Sequence, residues 1–402
     1  MIDLEFWKYA SIPVVAAVVG WATNWVAIQL TFYPLSFIGK PPYLGWQGII
    51  PAKAQRMAEI FMDSTMNRLG TVAEVFEQMD PGKISRHISL SLSPRMEEYT
   101  DEILLKTHPV LWENLPRMLR ERVYQSSRDT LPRLVDNLVT ESGERIEELV
   151  DLKHMVVHRL VNDRGLLNRL FLECGDKEFQ FIIRSGLYFG FLFGLVQLAV
   201  WIVYPAWWVL PLFGLIVGWA TNWIALNVIF RPLHPKKIGP WTVQGLFLRR
   251  QAEVARVWCH IVTREILTIR ALVDEMLNGP HADRTRALIQ RHMKPLVDES
   301  SAGLVRGLAQ IAIGPEGFAE IKQSVGKKAV EVSPAPFDNH IFNEGRARVV
   351  EEVLAERMAA LPVDQFQDLL RPCFQEDEWK LILTGAVLGL LAGTAQLVLV
   401  FG

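Results

Sequence analysis

The length, composition and charge of this chain indicate a mid-sized protein without a strong electrostatic bias. It has 402 residues, of which 50% are hydrophobic and 21% are charged, and its formal net charge at pH 7 is −2. A charge so close to zero gives no reason to expect nucleic acid as a partner, and the length suits two or three structural units.

Three long stretches contain no Asp, Glu, Lys or Arg, at residues 9–39, 185–230 and 381–402. A helix needs about 20 apolar residues to cross a bilayer, so the outer stretches suit one span each. The middle stretch suits two spans with a break near Pro205, because proline ends a helix. The first stretch lacks a basic leader and a small-residue cleavage site, so we expect a retained span. The predicted spans are residues 11–32, 182–203, 208–230 and 381–401.

The chain repeats itself. The block Gly20–Ala27 recurs as Gly218–Ala225, with seven of eight residues identical at an offset of 198. At the far end of each half, three glycines and a glutamine match at an offset of 199: Gly186, Gly190, Gly194 and Gln197 with Gly385, Gly389, Gly393 and Gln396. We predict two parallel repeats, residues 1–204 and 205–402, each built as span, helical domain, span.

The distribution of Lys and Arg predicts the orientation in the membrane. Basic residues near the span ends should face the cytoplasm. Lys8 alone lies on the side of the termini, whereas the side of the large domains has Lys40, Lys53, Arg56, Lys177, Arg184, Arg231, Lys236, Lys237, Arg249, Arg250, Arg371 and Lys380. We therefore expect an inner-membrane protein with both domains in the cytoplasm and its termini on the opposite face.

The domain segments, residues 52–178 and 250–378, are predicted to be almost wholly helical. One apolar stripe at helical spacing is formed by Leu131, Leu134, Val135 and Leu138, as in an amphipathic helix. Such helices either pack on each other or lie on lipid, and an apolar groove for acyl chains is compatible with either arrangement. Proline residues should divide the first domain into short helices at Pro109, Pro116 and Pro132, and Ser91–Ser93 is a candidate exposed loop.

A linker rich in proline and glycine follows the first span of each half. With Trp46 and Trp241 it suits an ordered loop at the level of the lipid headgroups. The basic residues at the linkers could contact anionic headgroups or serve orientation alone. The candidates for headgroup contact are Lys53, Arg56, Lys236, Lys237, Arg249 and Arg250.

Each span carries an amide side chain away from its ends. Because an unpaired amide in hydrocarbon costs several kcal/mol, we expect these side chains to face inward and find partners. The candidate polar cluster is Asn24, Gln197, Asn222 and Gln396, with Thr23 and Thr221 beside the asparagines. The cluster could join the helices or line a path for a solute. The six glycines Gly186, Gly190, Gly194, Gly385, Gly389 and Gly393 predict close helix packing.

No catalytic motif is evident, and we expect neither an enzyme nor a cofactor. His154 and His158 are one helical turn apart, but no third metal ligand accompanies them, so no metal site is predicted. The three cysteines, Cys174, Cys259 and Cys373, form no CxxC pair and indicate reduced thiols.

Four blocks of the sequence resemble the bacterial membrane family catalogued as domain of unknown function 445. They are Gly20–Trp25, Gly48–Lys53, Glu178–Gly190 and Gly314–Phe318. The resemblance covers nearly the whole chain. It implies a multi-pass bacterial membrane protein and no established activity.

These observations predict an all-α integral membrane protein. Our leading hypothesis is a non-enzymatic scaffold or lipid-handling protein at the membrane surface, with membrane lipids as partners. The alternative is a small-solute or lipid transporter or channel that uses the intramembrane polar cluster and assembles as a homo-oligomer. The sequence names no protein partner.

Overall fold

A computed structural model describes residues 2–40, 44–238, 241–301, 304–368 and 378–401 of the chain. Cys373 and Arg371 of the sequence analysis lie outside these ranges. The described residues are almost entirely α-helical, and the strands are limited to two short hairpins. The predicted all-α class is therefore confirmed.

The first half of the chain begins with one long helix and then continues through a hairpin into shorter helices. Its elements are α1 (Ile2–Phe32), β1 (Ile38–Lys40), β2 (Leu44–Trp46), α2 (Ile49–Ala52), α3 (Ala54–Leu69), α4 (Val72–Gln78), α5 (Pro81–Leu92), α6 (Met96–Thr107), α7 (Pro109–Asn114), α8 (Arg117–Glu144), α9 (Ile146–Leu149), α10 (Leu152–Asn162), α11 (Arg164–Cys174) and α12 (Asp176–Val203). A 3-10 turn at Ser93–Arg95 joins α5 to α6.

The second half has a similar order of elements. They are α13 (Val209–Phe230), β3 (Lys236–Ile238), β4 (Trp241–Val243), α14 (Leu246–Arg249), α15 (Gln251–Ile261), α16 (Ile269–Asn278), α17 (Ala282–Ser300), α18 (Leu304–Val332), α19 (His340–Ala359) and α20 (Glu378–Gln396). A π-helical turn, Val262–Ile266, follows α15, and another, Leu397–Phe401, ends the described chain. Gly314 interrupts α18 with a positive φ of 64°, a conformation that glycine adopts without steric cost.

Four helices among the described residues are long and apolar enough to cross a bilayer, as predicted. They are Trp7–Phe32, Asp176–Val203, Val209–Ile229 and Glu378–Phe401. The expected break is present, because α12 ends at Val203 and α13 begins at Val209.

The chain divides into two compact units, and each takes segments from both halves of the sequence. The first unit comprises Met1–Leu69, Arg159–Ile261 and Leu354–Gly402, and the second comprises Gly70–His158 and Val262–Val353. These units are defined by contacts in space, whereas the predicted limits at 1–204 and 205–402 are defined by the repeat in the sequence. The repeat stays a prediction from the sequence.

The first unit contains the four candidate spans. Helix α1 packs along α12 and α13 packs along α20, while α12 and α13 pack on each other beside the turn that joins them. At that end Ile12, Trp201, Val209 and Leu210 form a buried apolar cluster.

The two linkers of the first unit form short antiparallel hairpins where we had expected ordered loops. Strands β1 and β2 pair with Gly39 opposite Gly45, and β3 and β4 pair with Lys237 opposite Thr242. Each hairpin follows a cis peptide bond, at Tyr33–Pro34 and at Arg231–Pro232.

The second unit is a helical bundle built around the antiparallel pair α8 and α17. Ser127 on α8 bonds Ser300 at the end of α17, and Glu141 near the end of α8 pairs with Arg291 on α17. Helices α5, α6, α16 and α18 complete the bundle around this pair.

Two local predictions in this unit are wrong. Pro132 does not divide the chain, because it lies inside the 28-residue α8, where burial of Leu131 and Leu134 outweighs the lost backbone hydrogen bond. Ser91–Ser93 is not an exposed loop, because α5 continues to Leu92, whose side chain is buried.

Candidate functional site

The two intramembrane asparagines join neighbouring spans. Asn24 Nδ2 on α1 donates a hydrogen bond to the carbonyl oxygen of Ile182 on α12, at 2.6 Å. Asn222 Nδ2 on α13 donates to the carbonyl oxygen of Leu381 on α20, at 2.8 Å. Both asparagine side chains are buried. The geometry is that of interhelical bonds, which hold helices together where water is absent.

The other members of the predicted polar cluster are also buried, but they do not all make bonds between helices. The threonine hydroxyls donate within their own helices, from Thr23 to the Gly20 carbonyl at 3.1 Å and from Thr221 to the Val217 carbonyl at 2.9 Å. Gln197 and Gln396 are buried. Gln396 Nε2 has no hydrogen-bond partner within the part of the chain that the structure describes.

The predicted glycine faces lie where two pairs of spans touch. A Cβ atom on Gly186 or Gly190 of α12 would overlap the backbone of α1. A Cβ atom on Gly194 of α12 would overlap Pro13, which also lies in α1. Gly385, Gly389 and Gly393 meet the backbone of α13 in the same way. Small residues at these positions let the helices approach closely enough for the asparagine bonds to form.

Arg250, a predicted headgroup contact, lies instead in an ion-pair network of the first unit. Its Nη1 bonds both carboxylate oxygens of Glu178, at 2.7 and 2.6 Å, and its Nε bonds Glu253 at 2.9 Å. The Glu178 side chain is only 3% exposed. These carboxylates hold the pKa of Arg250 above its ordinary value, so Arg250 stabilises protein structure rather than offering a free cation to lipid.

The other predicted headgroup residues lie near the surface of the first unit. Arg56, Lys236, Lys237 and Arg249 are exposed, whereas Lys53 is half-buried. Lys236 lines an open cleft of about 710 Å³ that also contains Arg231, His234, Asp364 and Asp368. The structure thus places both positive and negative groups at the end of α13.

The second unit contains a cavity that the sequence analysis did not locate. Its volume is about 250 Å³, and its wall is almost wholly apolar. Side chains come from α4, α5, α6, α7, α8, α16, α17 and α18, including Ile88, Ile103, Leu131, Leu272, Ile289 and Ile321. A dry cavity of about 150 Å³ already admits small apolar molecules, so this one is large enough to accept an apolar ligand.

The cavity is elongated along two of the helices that line it. Along α17 its lining runs from Thr285 to Ser300, and it runs from Phe318 on α18 to Ser333, the residue after that helix. Each run spans 15 residue-to-residue steps, or about 22 Å at a rise of about 1.5 Å per residue. An extended acyl chain in one leaflet spans about half of the roughly 30 Å hydrocarbon core. The lined length therefore exceeds that of one extended acyl chain and leaves room for a polar group at its end.

Only a few polar groups line this cavity. Lys328 is the one charged side chain among the described lining residues, and its amine bonds Glu102 at 2.7 Å and Glu331 at 2.9 Å. At one end the hydroxyl of Ser127 bonds that of Ser300. Near the other end, Thr285 Oγ1 is buried and has no hydrogen-bond partner within the described residues.

The apolar stripe on α8 is the sequence signal that points to this cavity. Leu131, Val135 and Leu138 of that stripe all line it. The stripe identifies the buried face of one helix but cannot reveal that eight helices leave a space between them.

The histidine pair of α10 lies beside Glu275 in the second unit. His154 Nδ1 lies 2.9 Å from Glu275 Oε1, and the rings of His154 and His158 stack. Among the described residues, no group of three His, Cys, Asp or Glu side chains could hold a metal ion.

Parts of this chain are similar to bacterial proteins of one uncharacterised family. A UPF0754 protein of Alkalihalophilus pseudofirmus is 29% identical over 150 residues, which cover 35% of this chain and 36% of the relative. A UPF0754 membrane protein of Shouchella clausii is 38% identical over 76 residues, covering 18% and 19%. A UPF0754 membrane protein of Synechococcus sp. is 26% identical over 207 residues, covering 44% and 50%.

The matched segments thus span between about a fifth and a half of these relatives' length. No family model matches the chain, and no solved structure matches it. The resemblance to the family of domain of unknown function 445 stays a prediction. The names of two relatives and the four apolar helices together support a membrane-associated protein.

Proposed function

We propose that this chain is a non-enzymatic lipid-handling protein of the bacterial inner membrane. The observation that carries the proposal is the apolar cavity of the second unit. Its length accommodates one acyl chain, and its volume of about 250 Å³ exceeds the roughly 150 Å³ of a dry cavity that binds small apolar molecules. The spans would keep the protein beside its lipid source.

The same proposal includes the orientation inferred from the basic residues. The second unit would lie in the cytoplasm, and the α12–α13 turn would face the opposite side. The hairpins after α1 and α13 support this orientation, since Lys40, Lys236 and Lys237 are exposed there and suit anionic headgroups. Lipid would then be held by a cytoplasmic helical bundle at the membrane surface.

The alternative, transport through the intramembrane polar cluster, has less support from the geometry. Asn24 and Asn222 already bond backbone carbonyls of facing helices, and Thr23 and Thr221 bond their own helices. Liposome flux of the wild type and of Asn24→Leu plus Asn222→Leu tests this alternative. Solute flux that the double substitution abolishes would favour transport, and equal flux or none in both would remove it.

Photo-crosslinking tests the lipid-handling proposal. The full-length protein is reconstituted in vesicles that contain a phospholipid with a diazirine group on one acyl chain, and the labelled peptides are identified by mass spectrometry. We expect labelling of the cavity wall, in peptides around Leu131 and Ile289. Labelling of exposed span residues such as Leu192 and Leu195 serves as the internal reference for lipid access.

A matched pair of variants makes the test specific. Val139 lines the cavity, whereas Val110 is 74% exposed, and both belong to the second unit. Val139→Phe should fill the cavity and remove its labelling, while Val110→Phe should leave it unchanged. Wild-type labelling confined to the spans, or cavity labelling that survives Val139→Phe, would overturn the proposal.

A further inference from the structure

The hydroxyl of Thr285 differs in its bonding from those of two other helical threonines of the second unit. The hydroxyl of Thr100, which also lines the cavity, donates to the Met96 carbonyl at 2.7 Å, and Thr107 donates to Ile103 at 2.8 Å. Such bonds to the preceding turn are the usual solution for a threonine within a helix. Thr285 lies in the first turn of α17, is 2% exposed, and its Oγ1 has no partner among the described residues.

A buried hydroxyl without a partner is costly, and it faces a cavity with space for a ligand. Leaving a buried donor or acceptor unsatisfied forfeits its solvation, so native structures supply a partner for most such groups. Because Thr285 lines the cavity, a ligand atom is in a position to be that partner. A hydroxyl group can both donate and accept, and it therefore suits an alcohol or an ester carbonyl.

The charges at the cavity disfavour a carboxylate in this position. Lys328, the charged residue among the described lining, is already bonded to Glu102 and Glu331, so the three side chains together are negative. Burying an additional anion without a free cation is strongly unfavourable. An ionised fatty acid would meet this penalty, whereas a neutral chain would not.

We propose that the cavity binds a neutral long-chain lipid whose hydroxyl or ester oxygen hydrogen-bonds to Thr285. This inference rests on the proposed lipid-handling function and specifies its ligand class. The apolar wall contacts the hydrocarbon chain of the lipid, and Thr285 hydrogen-bonds to an oxygen atom near one end of that chain. A hydrocarbon of the same length would fit the wall and leave the threonine unsatisfied.

Four diazirine probes of equal chain length test the proposal in vesicles that contain the full-length protein. They end in a hydroxyl, a methyl ester, a carboxylic acid or a methyl group. Labelling of second-unit peptides is divided by labelling of the spans, which corrects for partition into the bilayer. At pH 8 we expect the alcohol and the ester to label the wild-type cavity roughly fivefold more than the hydrocarbon, and the acid to label it less than the alcohol.

Two substitutions separate hydrogen bonding from packing. Thr285→Val removes the hydroxyl at similar shape and should make the alcohol, ester and hydrocarbon label equally, while Thr285→Ser should preserve the wild-type order. Thermal unfolding checks that both variants fold. An order of probes unchanged in Thr285→Val, or a hydrocarbon equal to the alcohol in the wild type, would overturn this inference alone. Absence of labelling in the second unit with every probe would instead overturn the proposed function.

Discussion

The guanidinium of Arg250 lies within 2.7 Å of both carboxylate oxygens of Glu178, although 72 positions separate the two residues in the chain. Glu178 lies in the first turn of α12, which forms the second span. Arg250 caps the end of α14, the short helix that follows the second hairpin. The pair therefore connects the two sequence halves inside the first unit. Its position suggests a structural role for a cation that we had expected to contact lipid.

Removing one member of this pair should strongly destabilise the protein. Glu178→Gln removes the buried carboxylate that pairs with the partly buried Arg250 charge, and we expect a loss of about 3 kcal/mol in the free energy of unfolding. Denaturant unfolding in detergent, followed by tryptophan fluorescence, measures the change. Lys177→Gln is the control, because the exposed ion pair of Lys177 with Glu253 should contribute less than about 1 kcal/mol. Equal losses for the two variants would contradict this role.

Glu253 should make stability depend on pH in acid solution. A hydrogen bond from Arg250, which contributes most, and a second one from Lys177 lower the pKa of Glu253 from 4.5 to about 2. A lowered folded-state pKa stabilises the protein above the unfolded pKa, and this stabilisation is lost as the pH falls from 4.5 towards 2.

The measurement is the melting temperature of the wild type and of Glu253→Gln between pH 7 and pH 3. The wild type should melt higher at neutral pH, and the difference should shrink below pH 4.5. Glu113→Gln, at an exposed carboxylate without an ion pair among the described residues, should show no such trend. A constant difference down to pH 3 would argue against the lowered pKa.

Gly186 should tolerate no side chain. A Cβ atom there would overlap Gly20 of the facing span and lie 2.7 Å from Asn24 Nδ2, so Gly186→Ala should separate the helices and cost about 1–3 kcal/mol. Gly345→Ala is the matched control, since nothing lies within 4 Å of that position in α19, and a helical alanine should stabilise by up to about 1 kcal/mol. Comparable melting temperatures for both variants would show that the spans do not require this close contact.

Cysteine labelling tests the proposed orientation at the two ends of α13. In a background with all three native cysteines replaced by alanine, Trp207→Cys should react with a membrane-impermeant maleimide in intact cells with a permeabilised outer membrane. Lys237→Cys should react only after the inner membrane is opened. Trp207 is 74% exposed, and Lys237 is also exposed. The reverse pattern would place the hairpins on the outer side.

The spans could be predicted from the sequence because their signal is local. A run without charge needs no knowledge of its neighbours, and Pro205 marks the break between α12 and α13. The prediction that the four amides would find partners also follows from local cost, since hydrocarbon offers no water to an amide. Asn24 and Asn222 each donate such a bond, whereas Asn24 Oδ1 and Gln396 Nε2 have no partner among the described residues.

The rest depends on distant contacts. Arg250 resembles the other basic residues near the spans, and only the fold brings it to Glu178. Pro132 lies within α8 because packing of the surrounding leucines outweighs local propensity. The cavity arises where helices from both halves fail to fill a common core, and an apolar stripe on one helix does not predict that space.

Native mass spectrometry of the protein purified in mild detergent tests the central claim most directly. We predict that the wild type and Val110→Phe each retain one neutral lipid that Val139→Phe lacks, while lipids held by the spans remain in all three proteins. The same set of bound lipids in the three proteins, or no lipid beyond that held by the spans, would contradict a lipid-binding cavity in the second unit.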